Sequence, residues 1–467
     1  MNVNENPQTG QIDASCRVPL LALFGGAALW LVVGLVFALI ASLNFHMPEK
    51  FGNCAWLTYG RVQPVANDAI LYGFAIPAAL GVMLWIFARL SQTEIILPLV
   101  PIVAANIWHL GVLVGIVAIL IGDSTGFAWL EFPRGSSVLL FAAFLLIAIS
   151  AVATFGARCD RKLQPPHWFL LAAFFWFPWI YSTANLFLVA WPVRGVAQAV
   201  IGWWYSNNLI FVWLTLVGLG VAFYFLPKLA GRPLQNHYFV LFAFWTLILF
   251  ADWCGIPQGA PVPAWLPALS SVASILTIVP LIAITIIFIK SVCGANVHCK
   301  GGPFCYIKFG TTAFILSGLM LISLGCPHFS RIVEFTWYGQ AQTQLQILGF
   351  FGIVICGAIY ELLPRVMGFE LPFPKFVRLQ HWFFMLGIIL LVASLAIGGI
   401  EQGLKNYSLE SSLPFLRVST TGLLLLLLGS LLFAANIFAM TIKWKLALFK
   451  SVVAAVKAPL ETAEVKP

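Results

Sequence analysis

The sequence predicts an all-α integral membrane protein with twelve transmembrane helices, and three observations carry that prediction. Of 467 residues, 61% are hydrophobic and only 9% are charged, and the mean hydropathy is +0.97. A soluble chain carries about a quarter charged residues, so a fully solvated perimeter is excluded. Apolar runs of the length that crosses hydrocarbon, roughly 20 residues, recur from one end to the other. The runs are unbroken rather than alternating. In lipid the backbone must satisfy its own polar groups, which leaves helices or closed barrels, and unbroken runs select helices.

In the first half the spans are predicted at Val18–Leu43, Pro64–Phe87, Ile95–Ile121, Val138–Phe155, Trp168–Ala190 and Ala199–Leu226. The second half adds Tyr238–Gly255, Leu266–Ile289, Phe309–Leu324, Gln342–Leu363, Trp382–Ile400 and Val418–Ile442. The first run follows a weakly charged polar stretch and is too long for a signal-peptide core, so it reads as a retained helix. The organisation is then a tail over 1–17, one helical domain over 18–442 and a tail over 443–467, with no soluble domain. An even number of spans puts both tails on one side. Eighteen of the 25 Lys and Arg fall on that side, which the positive-inside rule makes cytoplasmic. The net charge of +9 is therefore a topology signal and calls for no nucleic-acid partner.

The nine cysteines form no C-x-x-C-H, so no covalently attached haem is expected. Cys293, His298, Cys299 and Cys305 cluster in one loop, but their gaps match no standard zinc spacing, and scattered thiols are the preferred reading.

Several stretches resemble the catalytic subunit of cbb3-type cytochrome c oxidases, in the haem–copper oxidase superfamily. Thr58-Tyr59-Gly60-Arg61-Val62-Gln63-Pro64 is similar to the start of that family's second helix. The run from Gly202 to Leu234 (GWWYSNNLIFVWLTLVGLGVAFYFLPKLAGRPL) resembles its sixth helix and the following loop. Phe244-Trp245, Leu348–Gly352 (LGFFG) and Tyr360–Arg365 (YELLPR) fall where the family has comparable residues. The resemblance spans nearly the whole chain and implies the subunit I bundle, seated in a bacterial inner membrane beside other membrane subunits, cytochrome c-type ones among them.

The family's chemistry rests on six histidines. One on the second helix and an H-x-H pair on the tenth hold two haems; one on the sixth and an adjacent pair at the end of the seventh hold copper. Residues two apart on a helix point about 200° apart, so one helix serves haems on opposite sides. Registered on the shared residues, the second-helix position falls at Ala66 and the H-x-H pair at Gln342 and Gln344. The copper positions fall at Asn207, Pro257 and Gln258. Carboxamides are poor ligands for iron or copper, and Ala and Pro side chains offer none. No haem or copper is expected in this chain.

Ionisable groups inside a membrane are functional candidates by default. Asp68, His109 and Glu361 are the three. For Asp68 the preferred reading is a partner for Arg61 or a carboxylate at a helix N-terminus. His109, in the middle of the third span, is expected to be a hydrogen-bonded packing residue, and Glu361 an i,i+4 partner of Arg365. Gln340, Gln342, Gln344 and Gln346 would bridge helices or line a hydrated cavity. Asp123, Glu131 and Asp252 are expected to be solvated near span ends. The function that follows is a cofactor-free membrane scaffold in a respiratory complex. The alternatives are a working terminal oxidase that oxidises cytochrome c, reduces oxygen and pumps protons, and a proton or ion conductor through emptied haem cavities.

Overall fold

A computed structural model describes residues 7–159, 162–234, 237–293, 301–405 and 409–463, and among these every regular element is a helix. Twelve helices follow the predicted order. They are α1 (Pro7–Asn44), α2 (Tyr59–Ser91), α3 (Leu99–Ile121), α4 (Arg134–Gly156), α5 (Pro165–Ala190) and α6 (Val196–Ala230), then α7 (His237–Ala251), α8 (Trp265–Val292), α9 (Pro303–Gly325), α10 (Trp337–Met367), α11 (Pro374–Leu404) and α12 (Leu409–Ala463). Eleven are long and apolar enough to cross a membrane, and α7 is shorter, at 15 residues. Asp252 and Trp253, inside the predicted span Tyr238–Gly255, lie in the turn that follows α7.

Local chemistry sets the boundaries. Prolines open α5, α9 and α11 in the first turn, where their missing N–H costs nothing. Glycines in the left-handed region close α3 and α6, at Gly122 (φ +101°) and Gly231 (φ +67°). Helix α1 starts within the stretch expected as a tail because Asp13 and Cys16 are buried against the bundle. Helix α12 continues beyond Ile442, where Lys443 lies over the Phe369 ring.

Three helices form the core. The most apolar windows of α2, α6 and α10 are 100%, 94% and 89% buried, against 39–50% for the other long helices. These three run all-apolar because every face meets protein, and the surrounding helices keep one face for lipid. Each core helix also widens into a π-helical turn, at 69–75 in α2, 208–213 in α6 and 345–352 in α10. Such turns gather at functional sites. They also free backbone groups that must find partners in a dry interior. The Tyr72 carbonyl accepts from Trp108 Nε1 at 2.7 Å, and the Ile210 carbonyl accepts from Gln346 Nε2 at 3.4 Å.

Arg17 donates to the Val366 carbonyl and Asp13 pairs with Arg89, so the start of α1 meets the ends of α2 and α10. That is the termini end of the bundle. At the far end, the end of α1 and the start of α12 meet through Ser42 and Thr420 (2.6 Å).

Candidate functional site: the far ends of the core helices

The residues singled out on α6, α10 and the α7–α8 loop converge. Asn207, Pro257, Gln258 and Gln342 line one cavity of about 390 Å³ at the far end, with Trp203, Ser270, Ser274 and Glu334. Gln344 faces the other way. It lines a second space, about 80 Å³, between α1, α2, α10, α11 and α12, with Gln63, Asn67, Ile70 and Gln340. Gln342 and Gln344 thus address opposite sides of α10, as their spacing requires. Ala66 is buried in α2 next to this second space but does not line it.

Both expectations for the glutamines are met, by different members. Gln346 bridges helices: it accepts from Ser317 on α9 (2.9 Å) and donates to Thr215 on α6 (2.8 Å). Gln340, Gln342 and Gln344 line cavities.

The donor atoms of the large cavity are largely spent on the fold. Asn207 Nδ2 donates to the Ala251 carbonyl at 2.8 Å, which fixes its Oδ1 as an acceptor with no protein partner. Gln258 Nε2 donates to Ser271 at 2.5 Å, and the backbone N–H groups of Gln258 and Gly259 donate to the Glu334 carboxylate, the latter at 2.8 Å. Gly255 has φ +94°, and a Cβ there would stand 2.5 Å from Asn207 Cβ, so only glycine allows this approach. The set offers amides, hydroxyls and one engaged carboxylate, with no imidazole or thiolate on the wall. It does not fit a haem iron or a copper ion. Cys254 is buried nearby and its thiol bonds the Phe250 carbonyl. Among the described residues, no group of three or more His, Cys, Asp or Glu side chains is arranged to hold a metal. His298 and Cys299 of the cysteine-rich loop lie outside the described residues.

Asp68 departs from its expected environment. Arg61 donates to the Leu120 carbonyl (2.8 Å) instead of meeting it, and Asp68 lies well within α2 rather than at a free N-terminus. It is fully buried with neither carboxyl oxygen hydrogen-bonded, and the carboxyl group near enough to bear on it is Glu131, from the α3–α4 loop. Glu131, expected to be solvated, is 7% exposed. Burial raises its carboxyl to about 7. Beside the pair, Tyr205 donates to Tyr72 at 2.5 Å and Tyr72 donates to the Trp129 carbonyl at 2.6 Å. No local pattern announces this group, since Asp68 and Glu131 belong to different elements and are brought together only by packing.

The other two candidates are simpler. The His109 ring lies against α1, where a Cβ on Gly26 would overlap it, near the backbone of Ala22 and Leu23 but without a well-formed hydrogen bond. Packing is borne out; the expected hydrogen bond is not. Glu361 pairs with Arg365 one turn on, as expected.

A bundle whose core helices widen beside these far-end residues, with twelve helices in this order, defines a class: the subunit I fold of membrane oxidases. The family model "Cytochrome C and Quinol oxidase polypeptide I" matches residues 18–415, and the chain belongs to that family. Among its relatives, a cbb3-type cytochrome c oxidase subunit CcoN1 of Stutzerimonas stutzeri is 23% identical over 433 residues, covering 88% of this chain and 90% of that one. Cytochrome c oxidase subunit 1 of Rhodobacter capsulatus is 24% identical over 449 residues, covering 89% and 83%. A solved haem–copper terminal oxidase dimer superimposes with a TM-score of 0.78 at 14% identity, covering 91% of this chain and 84% of that one.

Proposed function

We propose that this chain is a cofactor-free scaffold subunit of a respiratory or electron-transfer complex, seated in a bacterial inner membrane with both ends cytoplasmic. One observation carries the reading. Asn207, Pro257, Gln258 and Gln342 gather around a single cavity, as ligands of one centre would, yet none offers a donor that iron or copper prefers. The space beside Gln344, about 80 Å³, is far below the roughly 300–1,000 Å³ of a typical cofactor pocket. Fold alone does not carry an activity. What remains is a large apolar perimeter able to hold other membrane subunits, cytochrome c-type subunits included, as the names of its relatives suggest.

The test is to isolate the tagged chain from its native membrane with its partners and to perform a pyridine haemochrome assay with metal analysis. The expected result is haem confined to covalently attached partner haem, with copper well below one equivalent per chain. One equivalent of extractable haem, or cyanide-sensitive oxygen uptake that requires this chain, would end the reading. Orientation has its own test. Cys54 and Cys159 are exposed thiols at opposite ends of the bundle. In intact cells lacking an outer membrane, an impermeant maleimide labels Cys54, and it labels Cys159 only after permeabilisation.

A further inference from the structure

The termini ends of the same core helices form a third cavity, of different chemistry. It has a volume of about 260 Å³ and is lined by Trp85 and Arg89 of α2, Tyr224 and Lys228 of α6, and Arg365 of α10. Three cations from three helices therefore face one space. Convergence of like charge is unfavourable unless something of opposite sign is held there.

The protein supplies part of that compensation. Asp13 accepts from Trp85 Nε1 at 2.9 Å and pairs with Arg89 at 3.0 Å; the side chains of Asp13 and Arg89 are 3% and 12% exposed, so both are held rigidly. Glu361 pairs with Arg365. Lys228 receives no carboxylate among the described residues. Its Nζ sits 3.6 Å from the centre of the Tyr224 ring, and the charges of Arg89 and Arg365 bear on it. The wall thus holds three positive charges against two negative ones, and the uncompensated charge sits on Lys228, which with Arg365 forms the exposed rim of the cavity above the enclosed Arg89.

We infer that this cavity binds a phosphate-bearing anion, clamped by Lys228 and Arg365 with Arg89 behind them. Guanidinium groups match phosphate oxygens in paired geometry, and a lysine adds a point charge on a flexible stem. A water molecule takes about 30 Å³ of liquid, so the volume accommodates a phosphate ester as well as inorganic phosphate. The same chemistry belongs to a soluble phosphate and to the headgroup of an anionic lipid: basic pockets between membrane helices hold such headgroups, and a soluble phosphate presents the same oxygens. The rigid Asp13–Arg89–Trp85 arrangement makes the floor of the site, and Lys228 closes it.

The test uses the full chain in nanodiscs. In phosphatidylcholine discs, radiolabelled inorganic phosphate is measured by equilibrium dialysis. In a second arm, the phosphatidylglycerol that stays bound is counted by native mass spectrometry without added phosphate. Binding in the first arm identifies a soluble anion, and one retained lipid in the second identifies a headgroup. Lys228→Gln is expected to weaken whichever binding is seen by about tenfold, with Lys228→Arg restoring most of it. Arg365→Gln should act in the same direction. A ligand-free unfolding midpoint close to that of the parent chain shows that each variant folds. Binding in neither arm, or binding unchanged by Lys228→Gln, would overturn the inference.

Discussion

The three core helices carry opposite chemistry at their two ends. At the far end α2 presents Asp68, α6 presents Asn207 and α10 presents Gln342; at the termini end the same helices present Arg89, Lys228 and Arg365. The far end is built from amides and from acids that bear on each other, and it encloses the larger cavity. The termini end is built from full charges, two of them held by carboxylates. Buried charge persists where a partner stands within reach and is replaced by neutral hydrogen-bonding groups where none does. One end of the bundle is therefore electrostatically tight and the other is polar but forgiving.

Substitutions at the two ends therefore differ in cost. The largest effect is expected at Asp13. Asp13→Asn leaves Arg89 without its carboxylate in a nearly closed setting, and breaking such a pair costs about 3–5 kcal/mol. Reversible unfolding in detergent should show a clear loss; a loss within error would mean that water already compensates Arg89. Gln346→Leu comes next. It removes the amide that ties α10 to α6 and α9, leaving buried Thr215 and Ser317 short of partners at about 1–3 kcal/mol for each orphaned group.

A pH titration separates the ends in another way. Burial holds the Glu131 carboxyl near 7, whereas an unfolded glutamate titrates at about 4.3. The folded state therefore binds more protons between those values, and stability should fall as the pH rises from about 4.5 to 7. Glu131→Gln should flatten that part of the curve of melting temperature against pH; an unchanged slope would show that Glu131 is not its source. The smallest effect belongs to Gln342. Its Nε2 is buried without a partner, so Gln342→Leu removes an unsatisfied donor and should change stability by less than about 1 kcal/mol. A large loss there would erase the contrast.

The spans were legible because hydrocarbon thickness imposes a length that composition reports directly. The H-x-H spacing was legible too: Gln342 and Gln344 open onto opposite sides of α10 because helix geometry leaves no other choice. Asp68 was misplaced for the opposite reason. Arg61 is its neighbour in sequence, but the side chain turns to Leu120, and the group that bears on Asp68 arrives from a loop beyond α3. The basic cavity was invisible for the same reason, with Arg89, Lys228 and Arg365 scattered over the chain. The close approach of Gly255 to Asn207 is likewise announced by no local pattern.

The widened turns have a mechanical consequence. A π-helical turn takes one residue more than an α-helical one, and each residue advances the helix by about 100°. Everything beyond it on α2, α6 and α10 is therefore phased by that extra residue, including the side chains that reach the opposite membrane face. Removing Ala69 alone would wind α2 back by a quarter turn or so and swing Arg89 away from Asp13. The odd residue acts as a gear tooth that keeps the two faces of the molecule in step.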